Sequence, residues 1–540
     1  MSVIATRFAG TRSVLVELSD LDSVLALDAL LGASPLPGQL DVLAAASTVF
    51  IKADSWANAR KIAASVRTLE LGAAPDNAGT EVQVPVHYDG EDLAEVAELT
   101  GLSVEGVVNA HSQQRWRAAF GGFAPGFAYL LGVNQVLNVP RRSTPRKVVP
   151  SGAVALAGDY SAVYPRQSPG GWQLIGHTDA VLWDLDRDNP ALIRPQDRVR
   201  FVPSRTSLRL ATAPRPAAVP APPTGNTLEI LDPGLQSLIQ DLGRPGYGEL
   251  GVSAAGAADT ASAAQANRLV GNRTTEAVIE NLLGAMSLRA HGDAVIAVSG
   301  ATATIRVDPV DGDEFHEERE IPMDTPFALL DGEVLRLEPG GNGLRSYLAV
   351  RGGIAVASVL GSRSTDSMSG IGPAALTAGT RLPVGAIHGA HVVGNPEPSP
   401  LPVPDAQGIY TLRISEGPRG DWFGEAGLAR LTGQAWTVSA ESNRVGVRLA
   451  LGRDAEPLQR IRTGELSSEG VAVGALQVPP SGLPVLFLAD HPVTGGYPVI
   501  AGVIAEDLPA AAQLPPGARI RFELVDPNPS GTPTDEGNHA

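Results

Sequence analysis

Two blocks dense in glycine, proline and aromatic residues mark where this chain could do chemistry. They are Phe123-Ala-Pro-Gly-Phe-Ala-Tyr129 and, far downstream, Asp490-His-Pro-Val-Thr-Gly-Gly-Tyr-Pro498. Glycine adopts backbone angles closed to other residues and proline fixes its own, so such blocks turn sharply and bring main chain close to a ligand. Phe123, Pro125 and Gly126 in the first block are candidate binding positions, as are Thr494, Gly495, Gly496 and Tyr497 in the second.

Groups able to handle charge surround both blocks. His111 could act as a general acid or base near neutral pH, or could simply cap or pack the helix-like segment that carries it. The run Pro140-Arg-Arg-Ser-Thr-Pro-Arg-Lys147 offers Arg141, Arg146 and Lys147 to a phosphate or carboxylate, and would equally suit a solvated face. His87 and Asp89 sit together in His87-Tyr-Asp-Gly90 at a strand end. Ser168-Pro-Gly-Gly-Trp172 contributes Gly170 and Gly171, whose amides could hold an anion or close a tight hairpin. The second half adds Gln240 and Arg244 in Ile239-Gln-Asp-Leu-Gly-Arg-Pro-Gly246, then Glu280, Arg444, Ser467-Ser-Glu-Gly470 and Gln477. Gln477 could donate to a substrate carbonyl. Asp490 could orient a group or accept a proton, or could cap its own turn. His111, Arg444, Gln477 and Asp490 form the candidate catalytic set. Arg141, Arg146 and Lys147 are expected to face one cleft with His111 and the Phe123–Tyr129 loop, and Gln477 and Asp490 to line a pocket with the Thr494–Tyr497 loop.

Composition narrows the classes. With no cysteine, disulfides, thiolate metal sites and thiol nucleophiles are excluded. His388 and His391 lie close together but lack a carboxylate partner at metal spacing, so no metal site is expected. There is no phosphate-binding P-loop, no nucleophile elbow and no Ala-Met-Lys-Met motif, so no covalently attached biotin is expected. A formal charge of −17 argues against nucleic-acid binding and attachment to anionic lipid. No run of about 20 apolar residues could span a bilayer, and no signal pattern opens the chain, so a cytoplasmic protein is expected.

The elements that must position these groups are mostly short strands. At 540 residues with 60 glycines and 44 prolines, the chain reads as several domains built of strands and turns. Residues 1–80 alternate strand and helix periodicity: Ser13–Glu17 strand, Asp22–Leu31 helix, Val42–Ile51 strand, Trp56–Leu69 helix, with Val82–Val86 closing a βαββαβ layer. Beyond them one acidic helix is expected over Asp92–Leu99 and one clear helix over Ala257–Leu269, with Asp259 in its first turn. Asp197-Arg-Val-Arg-Phe201 and Ala518-Arg-Ile-Arg-Phe522 each end a β-rich block, and two further pairs of strand openings recur in order. Such repetition predicts about three related β-barrels in series.

These motifs together resemble a known family pair. Residues 1–205 resemble the B component of 5-oxoprolinase (also described as allophanate hydrolase subunit 1, or the sporulation-kinase-inhibitor family). The likeness runs through His87–Gly90, Gly122–Tyr129, Pro140-Arg141, Val149–Gly152 and Ser168–Trp172. Residues 227–525 resemble the C component, through Gln240–Gly246, Glu280, Arg351–Gly353, Gly361–Thr365, Ser442–Gly446, Gln477–Pro480 and Thr494–Tyr497. The pair is also similar to the carboxyltransferase region of urea carboxylase. The chain departs from the pattern at His177, where arginine is usual, at Gln196, where glycine is usual, and at Asn443, where aspartate is common.

The resemblance implies an α+β, mostly β architecture. A small ferredoxin-like α/β domain over 1–80 would be followed by three cyclophilin-like β-barrels over 81–205, 227–405 and 406–526. A Pro/Ala-rich linker over 206–226 and a disordered tail over 527–540 complete the expected layout. It further implies the fused B and C components of an ATP-dependent 5-oxoprolinase, converting 5-oxoproline to glutamate with a separate A-type component as partner. ATP, with Mg accompanying the nucleotide, would be the cofactor, and homo-oligomerisation is left open. Carboxyl transfer from carboxybiotin to a urea-like amide, and regulation of a sensor kinase, are the alternative readings.

Overall fold

The computed structural model describes residues 3–72, 79–204, 225–310, 317–387, 392–453, 455–464 and 466–526. Most of the linker expected at 206–226, the tail at 527–540, and His388 and His391 lie outside the described residues.

The first region is a four-stranded antiparallel sheet of Val3–Phe8, Ser13–Leu18, Gln39–Ala44 and Thr48–Ala53, in the order first, second, fourth, third. Helices Leu21–Ala33 and Trp56–Val66 cover one face, with Asp20 and Ser55 as N-caps accepting from the amides of Ser23 and Asn58. The element order is therefore ββαββα, not βαββαβ. The apolar stretch Val42–Ile51 is two strands rather than one. Its apolar residues run on through the turn, so pattern alone hides the hairpin that the Ala45 amide closes onto the Thr48 carbonyl at 2.9 Å. Glu81–Val86 leaves this layer to pair in parallel with Arg198–Pro203.

The second region is a seven-stranded sheet whose two end strands are Gln173–His177 and Glu81–Val86. His87 and His177 bridge those ends, each amide donating to the other's carbonyl at 2.8 Å, so the sheet closes into a barrel-like form. Two helices follow, Leu93–Thr100 at the expected acidic segment and Val104–Gln113, the helix-like segment that carries His111. In the last region, strands from Ile409–Glu416 to Arg519–Leu524 make a closed barrel of seven strands.

Between them, where a third barrel was expected, the described residues form no single closed sheet. The strands from Thr227–Asp232 to Arg381–Pro383 form a six-stranded and a five-stranded sheet sharing one core, which includes Ile230, Leu288 and Leu335 from one and Ile279, Val298 and Leu348 from the other. The helix there runs Thr260–Leu269, and Asp259 is its N-cap, accepting from the Ser262 amide at 2.9 Å. Gly424–Gly433 is a further helix that glycine content obscured.

The two barrel-like sheets repeat one plan. First and last strands run parallel in both. The Trp116 indole donates to the His111 carbonyl at 2.9 Å and the Trp436 indole to the Leu431 carbonyl at 3.0 Å, each anchoring a helix to the next strand. Each barrel also throws out a two-stranded excursion: Arg146–Val149 with Ser168–Gly170, and Glu469–Gly470 with Thr494–Gly495. The pair of closing segments noted in the sequence is thus a pair of equivalent strands. Among the described residues no helix is long and apolar enough to cross a membrane.

The two halves meet at backbone contact. A Cβ on Gly121 would fall 1.9 Å from the Glu249 carbonyl oxygen, and one on Gly251 would fall 2.2 Å from that of Ala124. The Gly126 amide donates to the Leu250 carbonyl at 3.0 Å across the same seam. The obstacle at Gly121 is main chain, which cannot swing aside. Gly121→Ala is therefore expected to cost about 1–3 kcal/mol, the range of overpacking. Thermal or urea unfolding of the full chain checks this, and an unchanged midpoint would mean the seam is looser than described.

Candidate functional site

A cavity of about 370 Å³ opens at the seam. Its floor is aromatic. Phe120 and Tyr129 are cross-strand partners whose rings stack at 4.4 Å, with Tyr160 and Trp172 edge-on to Tyr129 at 5.7 and 5.6 Å. Pro140 and Arg141 form one wall, and Arg141 is the charged residue among those lining the cavity. Leu466, Ser467 and Ser468 of the last barrel also line it. Both halves are needed to enclose the space.

The Phe123–Tyr129 loop ties the walls together. Phe123 has φ of 60°, a left-handed conformation costly for an aromatic residue. Its amide donates to Thr494 Oγ1 at 2.9 Å, which holds that turn against the second half. The Tyr129 hydroxyl lies 3.3 Å from Ser468 Oγ. Burial pushes the Tyr129 phenol up, opposed by Ser468, Arg141 and Thr494, so it remains a neutral hydrogen-bond donor at neutral pH.

Sequence candidates divide clearly by place. Arg141 lines the cavity. The loop of Phe123, Pro125 and Gly126 and the loop of Thr494, Gly495, Gly496 and Tyr497 flank it. A Cβ on Gly496 would stand 3.9 Å from Arg141 Nη1. Gln477 supports this loop from behind, donating to the Tyr497 carbonyl at 3.1 Å. Gly170 and Gly171 lead into Trp172 and brace the chain after Arg141, the Gly171 carbonyl accepting from the Arg142 amide at 2.8 Å.

Others stand elsewhere. Arg146 is paired with Asp92 at 2.7 Å and Glu91 at 3.1 Å, and Lys147 is exposed outside the cavity. His87 stacks on His177, which pairs with Asp89 at 2.7 Å on the surface. His111 does not face the cleft. It lies inside the barrel, hydrogen-bonded to Tyr88 and Ser161 at 2.8 Å each and stacked on Phe201. Burial pushes its pKa down to about 3, which leaves it neutral at working pH. Asp490 does not line the pocket either. It has no exposed surface, and its oxygens accept from Arg444 at 2.9 and 3.0 Å and from the Ser367 amide at 2.9 Å. Arg444 also pairs with Glu280. Gln240 donates to the Thr365 carbonyl at 2.9 Å, and Arg244 donates to the Ser364 carbonyl, both deep in the middle region.

Residues 4–193 match the family model of the carboxyltransferase domain, subdomain C and D, and residues 250–524 match that of subdomain A and B. The chain belongs to the carboxyltransferase-domain family. Over 304 residues this carboxyltransferase-domain chain is 35% identical to the C component of 5-oxoprolinase from Escherichia coli (strain K12), covering 55% of this chain and 90% of that protein. Over 127 residues it is 49% identical to the B component of 5-oxoprolinase from Escherichia coli O157:H7, covering 23% of this chain and 58% of that one. It thus spans most of the C-type relative and less than two thirds of the B-type relative. The solved structure of TTHA0988 is similar along nearly the whole length: 34% identity, TM-score 0.81, 95% of this chain and 99% of that one. The matches are consistent with a fusion of B-type and C-type components.

Several lining residues of the carboxyltransferase-domain chain escaped the sequence reading. Tyr129 was expected at the cleft only as the end of its loop, Trp172 ends a motif whose candidates are its glycines, and Ser467 and Ser468 lie in a polar segment with no assigned role. Tyr160 and Asn138 carry no sequence signal.

Two outcomes follow from the buried groups. His111 is depressed in the folded chain relative to its ordinary value near 6.5. Its contribution is therefore full above about pH 6.5 and is lost as pH falls toward 3, because only the unfolded chain takes up the proton. His491, pushed down to about 4 by burial, acts in the same sense. Urea midpoints of the wild type should fall with acid, and His111→Gln should flatten that slope by about one proton between about pH 4 and 6. An identical slope in the two proteins would contradict this. Asp490→Asn leaves Arg444 buried with one carboxylate fewer, and should lower stability by about 3–5 kcal/mol. An unchanged unfolding midpoint with lost turnover would instead return Asp490 to the chemistry.

Proposed function

We propose that this chain supplies the B and C components of a 5-oxoprolinase and receives 5-oxoproline in the seam cavity. The observation that carries the reading is the cavity's composition: Arg141, Tyr129 and Trp172 come from the half resembling the B component, and Ser467 and Ser468 from the half resembling the C component. The substrate is a flat five-membered amide ring bearing one carboxylate. Arg141 offers that carboxylate a planar fork of donors. The ring lies against Trp172 and Phe120, and the neutral Tyr129 phenol with the serine hydroxyls donates to the amide oxygen.

ATP does not fit this cavity. A triphosphate needs several cations or a cradle of amides, and among the described lining residues Arg141 is the one cation. In this reading the nucleotide binds outside the seam cavity, and the cavity's role is to bind and orient the lactam. Histidine chemistry from His111 is not part of the reading, because that ring is sealed in the barrel core.

Reconstitution with an A-type component tests this. Glutamate formation and 5-oxoproline-dependent ATP hydrolysis should require both proteins. Arg141→Met should raise KM about 10- to 100-fold, the scale of a lost charge-assisted hydrogen bond, with little change in kcat or melting temperature. Absence of glutamate in the complete system would overturn the reading. Since the family's models carry the carboxyltransferase name, the same preparation offered carboxybiotin and urea would expose carboxyl transfer as the alternative.

A further inference from the structure

The cavity's second-barrel wall has little secondary structure of its own. Leu466, Ser467 and Ser468 run straight into Glu469–Gly470, a two-residue strand paired only with Thr494–Gly495. So short a pairing is marginal by itself. Its fixing comes from Arg419. The guanidinium donates to Glu469 through Nε at 2.9 Å and Nη2 at 2.6 Å, and through Nη1 it reaches Glu17 on the N-terminal sheet. Arg7 at 2.9 Å is the second partner of Glu17. The Arg419, Glu469 and Glu17 side chains are only 11%, 2% and 18% exposed. The same sheet backs the excursion by packing. A Cβ on Gly470 would lie 2.3 Å from Phe50 Cβ, and Val493 clusters with Ala9, Leu15, Leu43 and Phe50.

We propose that Arg419 is a positioning residue for the seam cavity, holding the Ser467–Ser468 wall and the Thr494–Tyr497 loop against Arg141 and Tyr129 by clamping Glu469 to Glu17. The N-terminal α/β region thereby has a function: it is the anvil against which one wall of the site is set. The counterpart excursion in the other barrel offers a contrast. There Asp92 accepts from Arg142 and Arg146 at 2.7 Å each, so the clamp closes within the one barrel. In the last barrel the clamp reaches across the seam to the other half.

The functional part of this inference rests on the cavity being the 5-oxoproline site; the structural part does not, and the test separates them. Glu17→Gln weakens the anchor, and Arg419→Lys keeps the charge but loses the planar fork. Hydrogen exchange read by mass spectrometry on each full-length variant should show amides of residues 466–470 and 494–497 exchanging at least about tenfold faster, with strands Ile409–Glu416 and Arg519–Leu524 unchanged. Exchange that rises nowhere in either variant, or equally throughout the barrel in Glu17→Gln, overturns the clamp. Should Arg419→Lys loosen the whole barrel, Glu17→Gln decides. In the reconstituted complex both variants should raise KM for 5-oxoproline by about tenfold or more while kcat changes less. Inactive wild type with localised exchange in the variants would remove the 5-oxoproline reading and leave the clamp standing. Active wild type with unchanged KM in variants whose exchange is localised would show that the clamped wall does not serve the site.

Discussion

Everything at the candidate site depends on the two halves approaching to main-chain contact. Gly121 faces the Glu249 carbonyl and Gly251 the Ala124 carbonyl, with no room for a side chain on either. Contact at that distance sets the Phe123–Tyr129 loop directly against Thr494, and it is Thr494 that stabilises the left-handed turn at Phe123. If the halves stood apart by the width of one methyl group, the Tyr129 hydroxyl and Ser468 would lose contact and the cavity would be an open groove.

A second constraint fixes the middle region to the last barrel. Arg444 pairs with Asp490 of its own barrel and with Glu280 of the middle region, and Glu280 also meets Arg345 at 3.5 Å and accepts from the Tyr347 hydroxyl at 2.9 Å. Burial opposes the charge on Arg444, but Glu280 and Asp490 outweigh it and push its pKa up. Two guanidinium groups and two carboxylates make a neutral set, which is the condition for burying charge at all. Such sets add little to net stability, since desolvation offsets attraction. They do penalise any arrangement that leaves one member alone, and so they select a single docking geometry. Family motifs rich in arginine and acid read as catalytic in the sequence, and in the fold they hold domains in register.

What the sequence displayed depended on how local each signal is. The helical periodicity of Asp22–Leu31 and Trp56–Leu69, the glycine-rich loops and the repeated closing strands are local signals and are legible in the sequence; the caps at Asp20 and Ser55 emerge only in the fold. The hairpin inside Val42–Ile51 is local too, but apolar residues running through its turn hide it; the parallel pairing of Glu81–Val86 with Arg198–Pro203 and the two-sheet form of the middle region are long-range pairings, for which period-2 patterning is silent. At the site, the loops and Arg141 could be read because glycine, proline and arginine are chemically conspicuous. His111 misled for the same reason: its chemistry is versatile, but burial among Tyr88, Trp116 and Phe201 decides its role, and burial of one ring is invisible in sequence.

The basic run shows how geometry turns several similar residues into one site. Arg141, Arg142 and Arg146 lie within six positions of one another, and charge alone cannot rank them. Asp92 is buried and needs cationic partners, so it claims Arg142 and Arg146 at 2.7 Å. In extended chain, neighbouring side chains point to opposite sides. Arg142 turns to Asp92, while Arg141 lines the cavity, its Nη1 3.9 Å from where a Cβ on Gly496 would stand. The acid that fixes the excursion in the first barrel is thus also what sorts its arginines. Arg142 and Arg146 hold the fold through Asp92, and Arg141 is left to line the cavity at the seam.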